Sequence, residues 1–232
     1  MNLNDLFANS LYFGMILSLF SFFIGYQIKK KWNYPLFNPL LLSIIIIIIT
    51  LLLTGISFET YQYGAKYLTY FLTPVTVCLA VPLYKQLQVL KQNIEAVIIG
   101  ILIGCIVHAG VILLILKLWG TDIKLILSLL PKSITTAIAL GVSDEIGGIQ
   151  AVTVIGVTIA GLSGAIIGPT ILKIFHIKEP VAQGLAIGSA SHAVGTSKAV
   201  ELGEVQAAMS SLAIVVTGLL TVIIVPVIAH FM

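Results

Sequence analysis

Leu36-Phe37-Asn38-Pro39-Leu40-Leu41-Leu42-Ser43-Ile44-Ile45-Ile46-Ile47-Ile48-Ile49-Thr50-Leu51-Leu52-Leu53-Thr54-Gly55-Ile56-Ser57 runs its whole length without a formal charge. About 18–20 apolar residues in a helix cross a hydrocarbon core. Six consecutive isoleucines, Ile44 to Ile49, would invite aggregation in water, whereas in lipid they make an ordinary helix face. Working outward, Ser10 to Gln27 and Ala96 to Leu116 are uncharged over comparable lengths. Composition agrees. Of 232 residues 59% are hydrophobic and 9% charged, against about 25% charged in a soluble domain. The fold class is an all-α polytopic membrane protein.

Four spanning helices are expected at 6–27, 36–56, 67–84 and 95–118. The first begins acidic and polar (Asn2, Asn4, Asp5), unlike an export signal, and is expected to be retained. Lys29-Lys30-Lys31 follows it, and Lys85 and Lys91 follow the third. The positive-inside rule makes those loops cytoplasmic and puts the N-terminus outside a bacterial cytoplasmic membrane. Cys78 and Cys105 sit in apolar runs, and no haem, phosphate-loop or zinc-protease motif occurs, so neither cofactor nor metal is expected. All twelve basic residues are lysines, so an anion must be held by lysine, hydroxyls or amides rather than a guanidinium fork. The few lysines mark loop edges and exclude nucleic-acid binding.

The second half, 121–232, differs from the first, 1–120, within what reads as one transmembrane domain. Polar and glycine-rich patches interrupt it at Pro131-Lys132-Ser133, Ser143 to Gly148, and Gly188 to Lys198. Such residues are costly in a bilayer unless they line a cavity or pack on protein. A shift of 56 positions lays Thr135–Ala151 on Ser191–Ala207, matching Glu145 with Glu201, Gly147 with Gly203 and Gln150 with Gln206. Each copy reads as a short half-helix (131–143 and 187–198), a Glu/Gly break and a long apolar helix (149–172 and 205–231). Two discontinuous or re-entrant helices would bring the total to about 6–8 membrane segments. Charge on the Lys173–Glu179 loop favours inverted repeats, while the residue count suits two parallel hairpins.

Pro131 suits the start of a helix, with Lys132, Ser133, Thr135 and Thr136 in its first turn. They make either a small anion site or a capped end with Lys132 snorkelling to the interface. In the second copy Gly184, Gly188, His192 and Thr196 share one helical stripe, and Ser189, Ser191 and Lys198 lie nearby. The glycines fit close helix packing. His192 is either hydrogen-bonded in the bundle or titrating in a watery path. Glu145 and Glu201 stand at equivalent breaks as partners of lysines, helix caps or proton carriers. Gly161-Leu162-Ser163-Gly164 resembles the nucleophile loop of rhomboid-type proteases, with His192 as base. Helix packing explains it better, and no enzymatic activity is expected.

Leu129 to Ala139 with Ser143 to Gly148, Gly188 to Ala199, Leu79 to Lys85 and Asn38-Pro39 together resemble the LrgB/CidB family over essentially the whole chain. Pro131-Lys132-Ser133 and Ser191 to Lys198 are closer to its CidB branch. The resemblance implies two functions. One is a holin- or antiholin-like protein acting with a small CidA/LrgA-type membrane partner on murein hydrolase activity and lysis. The other is carriage of small carboxylates such as pyruvate or glycolate. Buried polar breaks favour the second, so the expected protein is a monocarboxylate transporter, accompanied by protons and assembled as a homodimer. Its expected lining is Lys132, Ser133, Thr135, Thr136, Ser189, Ser191, His192, Thr196 and Lys198, with Glu145 and Glu201 coupling or breaking the helices. The holin-like regulator is the alternative.

Orientation is testable. In a variant lacking Cys78 and Cys105, a single cysteine at Lys178 should resist a membrane-impermeant maleimide applied to intact cells. Labelling from outside would support parallel hairpins instead.

Overall fold

The computed structural model describes residue 7 and residues 10–32, 37–71, 74, 77–78 and 80–232, and every regular element among them is helical. These residues group into two compact units divided at Cys78.

The first unit holds α1 (Phe13–Lys31), α2 (Pro39–Thr54), α3 (Phe58–Ala65) and a 3-10 helix, Lys66–Phe71. Asn38 caps α2 by accepting from the Leu40 and Leu41 amides, Pro39 occupies its first turn, and Gly55 ends it at φ 67. Close backbone approach joins the helices: Gly14 of α1 lies on the Tyr61 carbonyl and Gly25 on Pro39. Ser18 and Tyr61 share a 2.8 Å hydroxyl bond across α1 and α3. The lysine triplet does not follow the first helix but forms its last turn, where cations suit the negative end of the dipole. Part of the expected 67–84 span lies outside the described residues. What is described there is the end of the 3-10 helix, helical positions at 74, 77 and 78, and α4 (Ala80–Lys85).

The second unit runs on through α5 (Leu87–Gln92), α6 (Ile94–Leu118), α7 (Ile123–Leu129), α8 (Thr136–Glu145), α9 (Gln150–Ile174), α10 (Pro180–Leu202) and α11 (Glu204–His230). Ile94–Ile115, α9 and α11 are long and apolar enough to cross a membrane. Their outward side chains are the reverse of a soluble surface, with Leu114, Ile159, Leu219 and Ile223 exposed. Inward, a stripe on α6 (Val97, Ile101, Cys105) meets Val181 of α10 and Ala208, Met209 and Ala213 of α11. One turn further, Ala109 joins Leu130, Ile134, Ala139, Val142, Val157 and Val225 in a second cluster.

Two expected half-helices take a different form. Pro131 does not start a helix: it follows α7, and α8 begins only at Thr136, after an extended Thr135. The 187–198 segment is not a separate helix but the middle of α10, which breaks at His192 (φ 43, ψ −141). The two long helices of the repeat, α9 and α11, start and end within two residues of the expected 149–172 and 205–231. The Glu/Gly breaks fall between α8 and α9, where Gly147 has φ 79, and at Gly203.

Packing repeats with the same 56-residue shift. On α7, the Ser128 carbonyl accepts from the Thr153 hydroxyl of α9 at 3.0 Å. At the shifted positions, Gly184 of α10 packs on Met209 of α11. Buried hydroxyls finish the first junction: Ile149 N–H donates to Ser128 Oγ at 2.7 Å, and Ser143 bonds Thr153 at 2.7 Å. Gly188 presses α10 onto Ser210, where an added Cβ would overlap the Ser210 backbone and hydroxyl. Gly188→Ala should therefore destabilise the protein by about 1–3 kcal/mol, seen as a lower unfolding midpoint in detergent. Gly141→Ala meets nothing within 4 Å and should leave the midpoint unchanged or raise it.

Candidate functional site

Two of the polar patches, at Lys132-Ser133 and at Ser189-Ala190, meet at a cavity of about 240 Å³ in the second unit. It forms because α7 stops short. Pro131 has no N–H to continue the helix. The chain then makes two tight turns, Lys132 N–H to the Leu129 carbonyl (3.2 Å) and Ile134 N–H to the Pro131 carbonyl (3.4 Å). The turns place Lys132 and Ser133 on the cavity wall. Helix α10 supplies Ser189 and Ala190, one turn before its break at His192. Helix α6 supplies Gly104, Cys105, His108 and Ala109, and α11 supplies Thr217, Thr221, Ile224 and Val225 at helical spacing.

Its chemistry is one half-buried ammonium among hydroxyls. Among the described residues Lys132 has no carboxylate partner, and no acidic side chain lines the cavity. Ser133 Oγ lies 3.4 Å from both ring nitrogens of His108, and Ser189 Oγ is 3.4 Å from the Ala186 carbonyl. These are long contacts that a ligand can compete with. Thr217 Oγ1 is buried and has no hydrogen-bond partner among the described residues. A buried hydroxyl without a partner costs about 1–3 kcal/mol, which a bound acceptor would recover. Donors of this kind around a lone cation suit a small anion. The described residues hold no cluster of three or more metal-ligating side chains.

Of the residues expected to line a site, Lys132, Ser133 and Ser189 meet here, and six do not. Thr135 is half-buried and Thr136 exposed at the start of α8, and neither lines the cavity. Ser191 packs on Gly164 and faces a separate apolar groove between α9 and α10. His192 is 4% exposed and donates from Nε2 to the Val157 carbonyl of α9 at 3.0 Å. Gly161 lets it approach, since a Cβ there would strike the ring. Thr196 bonds the His192 carbonyl at 3.0 Å and Ser210 Oγ at 2.8 Å. The stripe Gly184–Gly188–His192–Thr196 is therefore split: the glycines and Thr196 face α11, and His192 faces α9. Lys198 is paired with Glu201 near the end of α10, and Glu145 is exposed at the end of α8. Ser163 donates to the Ile159 carbonyl at 2.7 Å, so it and His192 each turn to a backbone oxygen rather than to each other.

Sequence reading passed over His108, Thr217 and Thr221, and took Cys105 only as part of an apolar run. Signals did exist: a histidine within an uncharged span, and two threonines one turn apart in an apolar helix. Neither says which neighbour it meets.

Long apolar helices packed around buried polar breaks define a multi-pass membrane protein. The chain belongs to the LrgB-like family, whose model matches residues 18–231. It is 38% identical over 221 residues to proteins named antiholin-like protein LrgB from Bacillus mycoides (strain KBAB4), Bacillus cereus (strain B4264) and Bacillus anthracis (strain CDC 684 / NRRL 3495). Each match covers 95% of this chain and 96% of the relative. No solved structure matches it.

Proposed function

We propose that this protein is an antiholin-like component of the bacterial cell membrane, and that it works through a small-anion site rather than by opening a lesion. The name carried by its full-length relatives supports the first part. An antiholin-like role calls for a membrane partner to restrain, and the proposed one is a small protein of the CidA/LrgA type, engaged by a homodimer of this chain. The N-terminus is proposed to lie outside, with the lysine-rich end of α1 in the cytoplasm. Neither role requires catalysis.

The cavity supports the second part, and it is the observation that favours a carrier. A lesion-forming protein needs helices that self-associate around water. It has no need of an unpaired ammonium facing Ser133, Ser189 and Thr217. An ionisable side chain held within a membrane protein is a functional site by default. The proposed ligand is a small monocarboxylate, pyruvate- or glycolate-like, because one lysine balances one negative charge. Moving it together with a proton would leave no net charge to cross the bilayer. The two roles are compatible, since carboxylate flux across the membrane can itself alter lysis.

Proteoliposomes holding this chain alone should retain a neutral fluorophore while taking up labelled pyruvate saturably. Lys132→Gln should lower that uptake by roughly 10- to 100-fold, the loss expected for a charged hydrogen bond. Fluorophore leakage at the same protein density would contradict the carrier. Tight vesicles with no uptake, in which the chain suppresses leakage caused by a co-reconstituted CidA/LrgA-type protein, would leave the antiholin-like role alone.

A further inference from the structure

The break that carries Lys132 and Ser133 creates a local problem. In a continuous helix the Leu130 carbonyl would accept from the amide four residues on. Here that amide, Ile134 N–H, turns to the Pro131 carbonyl instead. Leu130 is fully buried, so water cannot substitute. The bond comes from another helix: His108 Nε2 of α6 lies 3.1 Å from the Leu130 oxygen. A carbonyl can only accept, so Nε2 carries the proton and Nδ1 is left with a lone pair. The same ring lies within 3.4 Å of the Ser133 hydroxyl. One side chain thus touches both ends of the segment that presents Lys132.

We propose that His108 is a positioning residue. Its Nε2–H clasps the Leu130 carbonyl and so holds the 130–133 turn with Lys132 and Ser133 facing the cavity. The proposal rests on the anion-site reading for its functional consequence, but the clasp is a property of the protein alone. The His192 bond differs, because its acceptor, the Val157 carbonyl, lies inside the continuous α9 and so seats the ring instead of covering a freed carbonyl. In that case the histidine is itself the residue at the break, whereas His108 reaches across from a separate, unbroken helix.

The test combines hydrogen exchange with pyruvate binding on the full chain in detergent, comparing wild type, His108→Gln and His108→Leu. Glutamine keeps an N–H donor within reach of the Leu130 oxygen, and leucine fills the space without one. In His108→Leu the amides of Lys132 to Thr135 should exchange faster by about tenfold or more, and pyruvate affinity should fall by a similar factor. His108→Gln should stay close to wild type in both measurements, and α9 and α11 should keep their protection throughout. Unchanged exchange at Lys132–Thr135 in His108→Leu would overturn the proposal. Equal loss of binding in both variants without faster exchange would do so too, because His108 would then touch the ligand directly. Loosening of α9 and α11 along with the turn would reduce His108 to general packing. If wild type binds no pyruvate, the anion reading fails, and the exchange data still decide the clasp.

Discussion

Every backbone N–H and C=O buried in a membrane protein must find its partner inside the protein, because hydrocarbon offers none. A continuous helix meets this demand automatically, and a broken one does not. The second unit is organised around meeting it at its breaks. Ser128 receives the Ile149 amide where α9 begins, and Thr153 covers the Ser128 carbonyl. His108 covers the Leu130 carbonyl after α7. Side chains that look expensive in an apolar chain are therefore partly the means by which irregular backbone survives there. The break after α7 frees Lys132 and Ser133 from regular helix surface and turns them toward the cavity that Ser189 of α10 also lines.

This view separates two kinds of polar residue in the core. Thr196, Ser210, Ser143 and Thr153 pair with each other or with carbonyls, and they join helices. In the second unit Lys132 and Thr217 are left without such partners among the described residues, and both line the cavity. In the first unit Ser21 is also buried without a partner among the described residues. Fully paired groups rigidify a core, whereas unpaired ones carry a standing cost that a ligand can relieve. That contrast, more than the mere presence of polar residues, marks the cavity as the place to look for function. The relatives are named antiholin-like; we propose that this chain shares that role and exercises it through the chemistry of the cavity.

Local rules made much of the fold legible. The uncharged run Ala96 to Leu116 marked one helix long enough to span, Asn38-Pro39 marked a helix start, and the Gly147 and Gly203 breaks showed in the sequence repeat. What stayed hidden depends on contacts between helices. Pro131 has the local signature of a first helical turn, yet it sits between α7 and α8 in a turn held by His108 from α6. His192 sits in a run of small residues with ordinary helical spacing, and its bend depends on Gly161 of α9 leaving room for the ring. The site suffered likewise. Periodicity placed Ser189 and His192 on one short segment, but a bend between them sends one to the cavity and the other to α9. The missing walls came from α6 and α11, which read as plain spans because their polar residues are few and one turn apart.

Cys105 gives the most direct measurement of the central claim, since its thiol belongs to the cavity wall one turn from His108. In a Cys78→Ser protein, the rate at which a small water-soluble thiol reagent modifies Cys105 would be followed with and without saturating pyruvate. The account predicts that the carboxylate slows the reaction severalfold, and that Lys132→Gln abolishes the protection while leaving the unprotected rate in place. A Cys105 that reacts at the same rate with and without the carboxylate in the wild-type background would contradict it.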